Sequence, residues 1–267
     1  MSRLIQSLPV KTAGTASRLG FSTTGGANWP AWDRFLTVDG APAFHLGNIC
    51  DTCAFFFERK DGAGRPLGVE ALARTLEAGV PALAPALVDH LATAMPQGSY
   101  DALLLRADVQ ATIHGEPGDY FSGEQLEAWG PYGSWDPKLE AATPYYRAGV
   151  HAVAPNTRLF EFIVPMFPAD ALALARIDHY RALIAGGHEP TALAISVLDA
   201  KTAEEETHWC LAHYLLDGHH KIEAAARAGR PITLVSFLAH GKGVSSSDQI
   251  TEALAVLAGR RARRLAR

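Results

Sequence analysis

Cysteine is scarce in this chain, with three among 267 residues. So small and odd a number cannot build the disulfide framework of a secreted mini-domain. No run of about 18 apolar residues occurs, which excludes a membrane-spanning helix. Charge is thin as well: 19% of residues are charged and the formal net charge is -4. A chain-wide attraction to DNA or to an anionic membrane is therefore not expected. The basic run at residues 260–267 suits a solvated helix end, where cations are favoured, better than a nucleic-acid patch. Residues 1–9 lack both an apolar core and a small-residue cleavage site. Together these absences lead to the expectation of a cytoplasmic protein without membrane or DNA partners.

Hydrophobic residues make up 48% of the sequence, enough to bury a sizeable core. Residues 1–44 are rich in Gly, Ser, Thr and Pro, with Trp29, Trp32 and Phe35 among them. They suggest an irregular arm whose aromatics pack onto the body. Asn48 or Asp51 is placed to cap a short helix carrying Phe55, Phe56 and Phe57, which read as core. Leu72, Leu76, Val80, Leu83, Leu87 and Leu91 recur at spacings of three and four, so residues 68–95 read as helices. Residues 100–113 and 157–165 read as strands, and 115–138 as a long loop with a short helix.

From residue 157 onward the pattern is regular: strand, helix, strand, strand, helix, strand, helix. The helices are expected at 169–184, 221–228 and 248–264, the last capped by one of Ser245 to Ser247. The expected fold class is α+β. A mixed sheet with helices occupies residues 157–267, and an α/β region of unidentified fold at 1–156 packs on it.

The sharpest local signal is Asp217-Gly218-His219-His220-Lys221. An apolar strand runs into Asp-Gly and a helix begins at once. The N–H groups of a helix N-terminus bind anions well. Gly218 lets the backbone approach such an anion. Cationic side chains are unfavourable at a helix start unless an anion offsets them. His219, His220 and Lys221 therefore point to a phosphate site, against the plainer reading of a surface turn.

This motif resembles the Asp-Gly-His-His-Arg signature of the ParB/sulfiredoxin superfamily, with Lys221 in place of Arg. The resemblance covers roughly residues 157–240. It implies a ParB/sulfiredoxin-like mixed sheet and nucleotide phosphates held by Asp217, Gly218, His219, His220 and Lys221. ATP or another nucleoside triphosphate with Mg²⁺ is the implied cofactor, as in the superfamily's free-serine kinases. Sulfiredoxins carry their reactive Cys within the motif, where this chain has His219, so sulfinic reduction is not expected. The stretch after Lys221 is too short for the DNA-reading domain of partition proteins.

Kinase members use an upstream carboxylate; Asp170 and Glu161, or Asp217 itself, are the candidates for orienting an acceptor, with His219 beside them. Glu161, in the middle of an apolar strand, is either a paired buried carboxylate or a catalytic base. Asp170 has the alternative of a simple helix cap. Asp199, at a strand end, sits where open α/β sheets place ligand contacts.

Cys50-x-x-Cys53 and His208-x-Cys210-x-x-His213 form the second constellation. His208 and Cys210 share a strand face, whereas His213 points the other way. Cys50, Cys53, His208 and Cys210 are thus a candidate zinc set, weighed against a redox disulfide and against buried structural cysteines. His45 is an optional further ligand.

Three functions follow as expectations. The first is nucleotide-dependent phosphoryl transfer to a small-molecule acceptor. The second is nucleotide or anion sensing without turnover. The third is a zinc-stabilised structural protein. Oligomeric state is not addressed by any of these signals.

Overall fold

The computed structural model describes residues 2–26, 28–133 and 143–260. The basic run beyond Arg260 lies outside them. Twelve strands and six α-helices are found among these residues, forming a mixed α+β fold. In chain order the strands are β1 (Arg3–Thr12), β2 (Leu19–Gly26), β3 (Trp29–Val38), β4 (Ala41–Asn48), β5 (Glu58–Arg59) and β6 (Gly98–Ala107). Then come β7 (Gln110–Ala111), β8 (Tyr146–Ala154), β9 (Thr157–Pro165), β10 (Thr191–Thr202), β11 (Thr207–Asp217) and β12 (Ile232–Ala239). The helices are α1 (Ala73–Ala78), α2 (Pro85–Ala92), α3 (Glu124–Gly133), α4 (Leu174–Ala185), α5 (His219–Ala228) and α6 (Ser247–Leu257).

Eight strands join in one sheet, in the order β1-β6-β12-β10-β11-β9-β8-β7. A second sheet has the order β2-β3-β4-β5. β10 and β11 form an antiparallel hairpin at the centre, flanked by the parallel neighbours β12 and β9. Every residue of β12, and all of β10 but its last, is buried. Such near-continuous apolar runs mark strands covered on both faces.

One face carries Phe160, Phe162, Ile195, Val197, Tyr214 and Phe237, packed against Leu36, Phe44 and Phe57 and against Leu76 and Leu91 of α1 and α2. The opposite face carries Leu159, Ile163, Leu211, Leu215 and Leu234, covered by Ile222 of α5 and by Ile250 and Leu257 of α6. Each such side chain stabilises the fold by roughly 1.5–3 kcal/mol on full burial.

The elements expected from residue 157 onward occur in the expected order. Ser246 caps α6 through a reciprocal capping box with Gln249. The boundary expected at 156/157 falls in the β8–β9 connection. Strands on both sides of it belong to one sheet, so it divides the chain but not the sheet.

The first 59 residues differ from expectation. The arm is three long strands and part of β4, because backbone pairing organises a segment whose apolar alternation is sparse. Asp39 (φ 49°) and Gly40 (φ 73°) make the two-residue β3–β4 turn, which requires positive φ at both positions. No helix carries the three Phe residues. The chain there is extended, with Phe55 and Phe57 in the core and Phe56 against His45, ring centroids 4.5 Å apart.

A buried ion pair ties the two sheets together. Arg34 on β3 donates to both Asp199 oxygens on β10, at 2.9 and 2.6 Å. Asp199 also accepts the Val244 N–H at 2.8 Å, so it serves here as an anchor and not as a ligand contact. The two-pronged geometry is one that Lys cannot reproduce. Replacing Arg34 by Ala leaves Asp199 buried and unpaired. The expected loss is about 3–5 kcal/mol in urea unfolding. A loss below about 1 kcal/mol would remove the pair from its place as the tie between sheets.

Candidate functional site: a cleft at the start of α5

The sequence from Tyr214 to Ala228 folds as the end of β11, a Gly turn and α5. Gly218 adopts φ 96°, in the left-handed region. A Cβ there would come within 2.8 Å of the Ala192 Cβ. Packing against β10 and backbone conformation therefore both require glycine, before any ligand is considered.

No side chain caps the N-terminus of α5. The first N–H groups of a helix have no partner within it. Here they open into a cleft of about 470 Å³. Its polar wall is Asp217–Lys221, Arg176, Tyr180 and Glu70, and its apolar wall includes Leu67, Phe167 and Leu172. Arg176, near the start of α4, is exposed and makes no ion pair among the described residues.

The three basic side chains of the motif are committed elsewhere. Lys221 Nζ donates to Asp217 Oδ2 at 2.9 Å and to the Thr191 carbonyl at 3.0 Å. It also lies 5.9 Å from the centre of the Tyr180 ring. Lys221 thus clamps the end of β11 to the start of β10. His219 Nε2 accepts the Met166 N–H at 3.1 Å, and His220 Nε2 accepts the Ala173 N–H at 3.1 Å. Both rings must then be neutral with the proton on Nδ1.

Burial pushes the His219 pKa down to about 3, helped by His220. Burial also lowers His220, with Arg176 adding to the effect and Asp217 opposing it. The expected cluster of cationic phosphate donors is corrected accordingly: two neutral imidazoles staple the β9–α4 connection to α5. What remains open to the cleft is the uncapped start of α5, with Arg176 on the same wall. Sequence reasoning missed Arg176. The signal for it was weak, a single Arg on a helix of ordinary composition.

The two candidate catalytic carboxylates lie outside the cleft. Asp170 is exposed on a 3-10 turn (Ala169–Ala171), whose next residues Ala171 and Leu172 line the wall. Glu161 is fully buried in the sheet on the α5–α6 face. Its Oε2 meets His151 Nε2 at 2.8 Å, and its Oε1 faces His213 Nε2 at 3.7 Å. Of its two readings, the structure takes the paired buried carboxylate. Burial raises its pKa, but the hydrogen bonds and charges of His151 and His213 outweigh this and hold it below the usual range. His213 Nδ1 is in turn within 2.7 Å of Ser196 Oγ and 2.9 Å of Ser236 Oγ. A polar ladder thus crosses five neighbouring strands inside an apolar layer.

The cysteine–histidine set is not assembled as a metal centre. Cys50 and Cys53 are joined as a disulfide, so in this state neither offers a thiolate. His208 and Cys210 do share a face. His208 Nδ1 meets the Tyr120 hydroxyl at 3.0 Å and its Nε2 meets Glu206 at 2.9 Å. The Cys210 thiol lies 3.8 Å from the same hydroxyl, and burial pushes its pKa well up. His45 pairs with Asp33 and Glu58. Among the described residues no group of three His, Cys, Asp or Glu side chains is placed to hold a metal ion.

His219 makes a pH prediction. Its pKa falls from an ordinary 6.5 to about 3 on folding. The unfolded chain therefore binds a proton that the native chain refuses, and stability falls as the pH drops below about 6.5. Each pH unit costs about 1.4 kcal/mol until the native value is reached. His219→Gln keeps an acceptor for Met166 without the titration. Urea unfolding at pH 6.5 and pH 5 should show a smaller loss in this variant, by about 1.6 kcal/mol. Equal losses would mean that His219 is solvated. Gly218→Ala should cost on the order of 1–3 kcal/mol in the same assay, from positive φ and from contact with Ala192.

No protein-family model, curated protein or solved structure matches this chain.

Proposed function

We propose that the cleft at the start of α5 binds a small molecule through an anionic group, with a nucleoside phosphate as the ligand class. The observation that carries this reading is the uncapped N-terminus of a ten-residue helix opening, beside Arg176, into a cleft of about 470 Å³. Backbone N–H groups with the helix dipole behind them suit a phosphate oxygen. Arg176 adds the planar fork that phosphate prefers. The apolar wall of Leu67, Phe167 and Leu172 suits the non-ionic part of such a ligand.

The order of elements from β9 to α6, with this motif between β11 and α5, supports the resemblance to the ParB/sulfiredoxin superfamily. It favours a phosphorylated ligand over a simple carboxylate. Phosphoryl transfer would need a carboxylate to orient the acceptor and Mg²⁺ to bridge the phosphates. Asp217 is occupied by Lys221, while Asp170 and Glu161 do not line the cleft, so Glu70 is the wall carboxylate left for either task. Binding without turnover is accordingly the reading we favour over a small-molecule kinase.

Calorimetry with ATP, CTP, GTP and inorganic phosphate, each with and without Mg²⁺, tests the proposal. Arg176→Ala should weaken binding at least tenfold, as expected for a charged hydrogen bond to phosphate. Asp170→Ala should leave affinity unchanged. No heat at millimolar nucleotide, or equal affinity in the Arg176 variant, overturns the assignment. Steady release of ADP or inorganic phosphate dependent on Glu70 would favour the kinase reading instead.

A further inference from the structure

Cys50-Asp51-Thr52-Cys53 links the end of β4 to the buried Phe55–Phe57 run. Asp51 and Thr52 are exposed, and both cysteines are half-buried. The loop is held from outside the disulfide. Thr202 N–H donates to the Asp51 carbonyl at 2.7 Å, and Trp129 Nε1 donates to the Thr52 carbonyl at 2.8 Å. Gln125 accepts the Phe55 N–H at 2.8 Å, and Lys201 Nζ reaches the Ala54 carbonyl at 3.3 Å. A bridge between residues three apart removes far less freedom from the unfolded chain than a long-range one. The bond is therefore a minor fold tie in a loop that other contacts already position.

Thr52 Oγ1 lies 3.4 Å from Cys50 Sγ. A disulfide sulfur has no hydrogen, so the hydroxyl is the donor. The same donor would stabilise a thiolate on Cys50. The buried Lys201 ammonium lies beneath the loop, against the Ala54 carbonyl and the Phe55 ring.

We propose that Cys50 and Cys53 form a thiol–disulfide exchange centre, with Cys50 as the exchanging sulfur and a dithiol as its partner. In the reducing direction, a partner thiolate attacks Cys50 Sγ. The Cys50–Cys53 bond breaks and Cys53 leaves as a thiolate that takes a proton. The partner's second thiolate then attacks the partner sulfur of the mixed disulfide, releasing Cys50 as a thiolate that accepts the Thr52 hydroxyl. The partner departs as a disulfide, having given two electrons, and its two thiol protons end on the cysteines or in water. Exchange of this kind needs an accessible sulfur and a stabilised leaving thiolate. Cys210, buried and with its thiol pKa pushed up, does not enter the exchange.

The test uses the full chain equilibrated in buffers of reduced and oxidised dithiothreitol, followed by alkylation and mass analysis. The expected result is that Cys50 and Cys53 gain label together and reversibly in folded protein while Cys210 stays unlabelled. Labelling that appears only on unfolding, together with Cys210, makes the bond structural and overturns the proposal. Single-cysteine chemistry decides the roles. Cys50 in a Cys53→Ser variant should react with an aromatic disulfide reagent at least tenfold faster than Cys210. Adding Thr52→Val should slow Cys50 about fivefold, the loss expected from one hydrogen bond. A Cys50 no faster than Cys53 in the Cys50→Ser variant, or unaffected by the loss of the hydroxyl, overturns Cys50 as the exchanging sulfur.

Discussion

The β10–β11 hairpin lies at the middle of an eight-stranded sheet and is buried on both faces, and the rest of the structure answers that constraint. A sheet covered twice needs two apolar layers, and the chain supplies them from different halves. The first 95 residues contribute the small sheet, α1 and α2 to one side. Residues after 218 contribute α5 and α6 to the other. Because β11 is central, its C-terminal end is where the chain must cross from the sheet to the helical layer. Gly218 makes that crossing in the left-handed region, and Lys221 ties it back to Asp217 and Thr191. The cleft lies at this crossing, where no side chain caps the start of α5.

Burial on both sides also sets the behaviour of the polar groups inside. The ladder from Ser236 and Ser196 through His213 and Glu161 to His151 is tolerated because most of its members bond to one another. Its loosest link is between Glu161 Oε1 and His213 Nε2, which face each other at 3.7 Å. The Arg34–Asp199 pair is the contrasting case on the other face: a charged pair with nearly every donor and acceptor matched, joining two sheets that share no strand pairing.

The motif at 217–221 shows how one set of side chains carries two meanings. Basic residues at a helix start imply an anion by electrostatics alone. Burial reverses this for the histidines, because desolvation removes their charge and turns them into acceptors for backbone N–H groups. Lys221 is paired with Asp217 four residues earlier. The groups left open to the cleft are the uncapped start of α5 and Arg176, which belongs to a different helix.

The order of elements after residue 157, the glycine at the β11–α5 turn and the capped start of α6 are legible in the sequence. Each depends on local periodicity or on a backbone conformation that few residues adopt. The β3–β4 turn was equally available in Asp39-Gly40, since positive φ at two successive positions is a local demand. The long strand β1 was not, because it is half-exposed and pairs with β6 some ninety residues away. Its stability comes from a partner that no local window contains. The same holds for the site. Chain spacing marked Asp217 to Lys221, but only packing decided that the histidines are neutral, that Glu161 belongs to a ladder inside the sheet, and that Arg176 faces the cleft. Burial and partnership set charge and direction, and both are properties of the folded neighbourhood rather than of the residue.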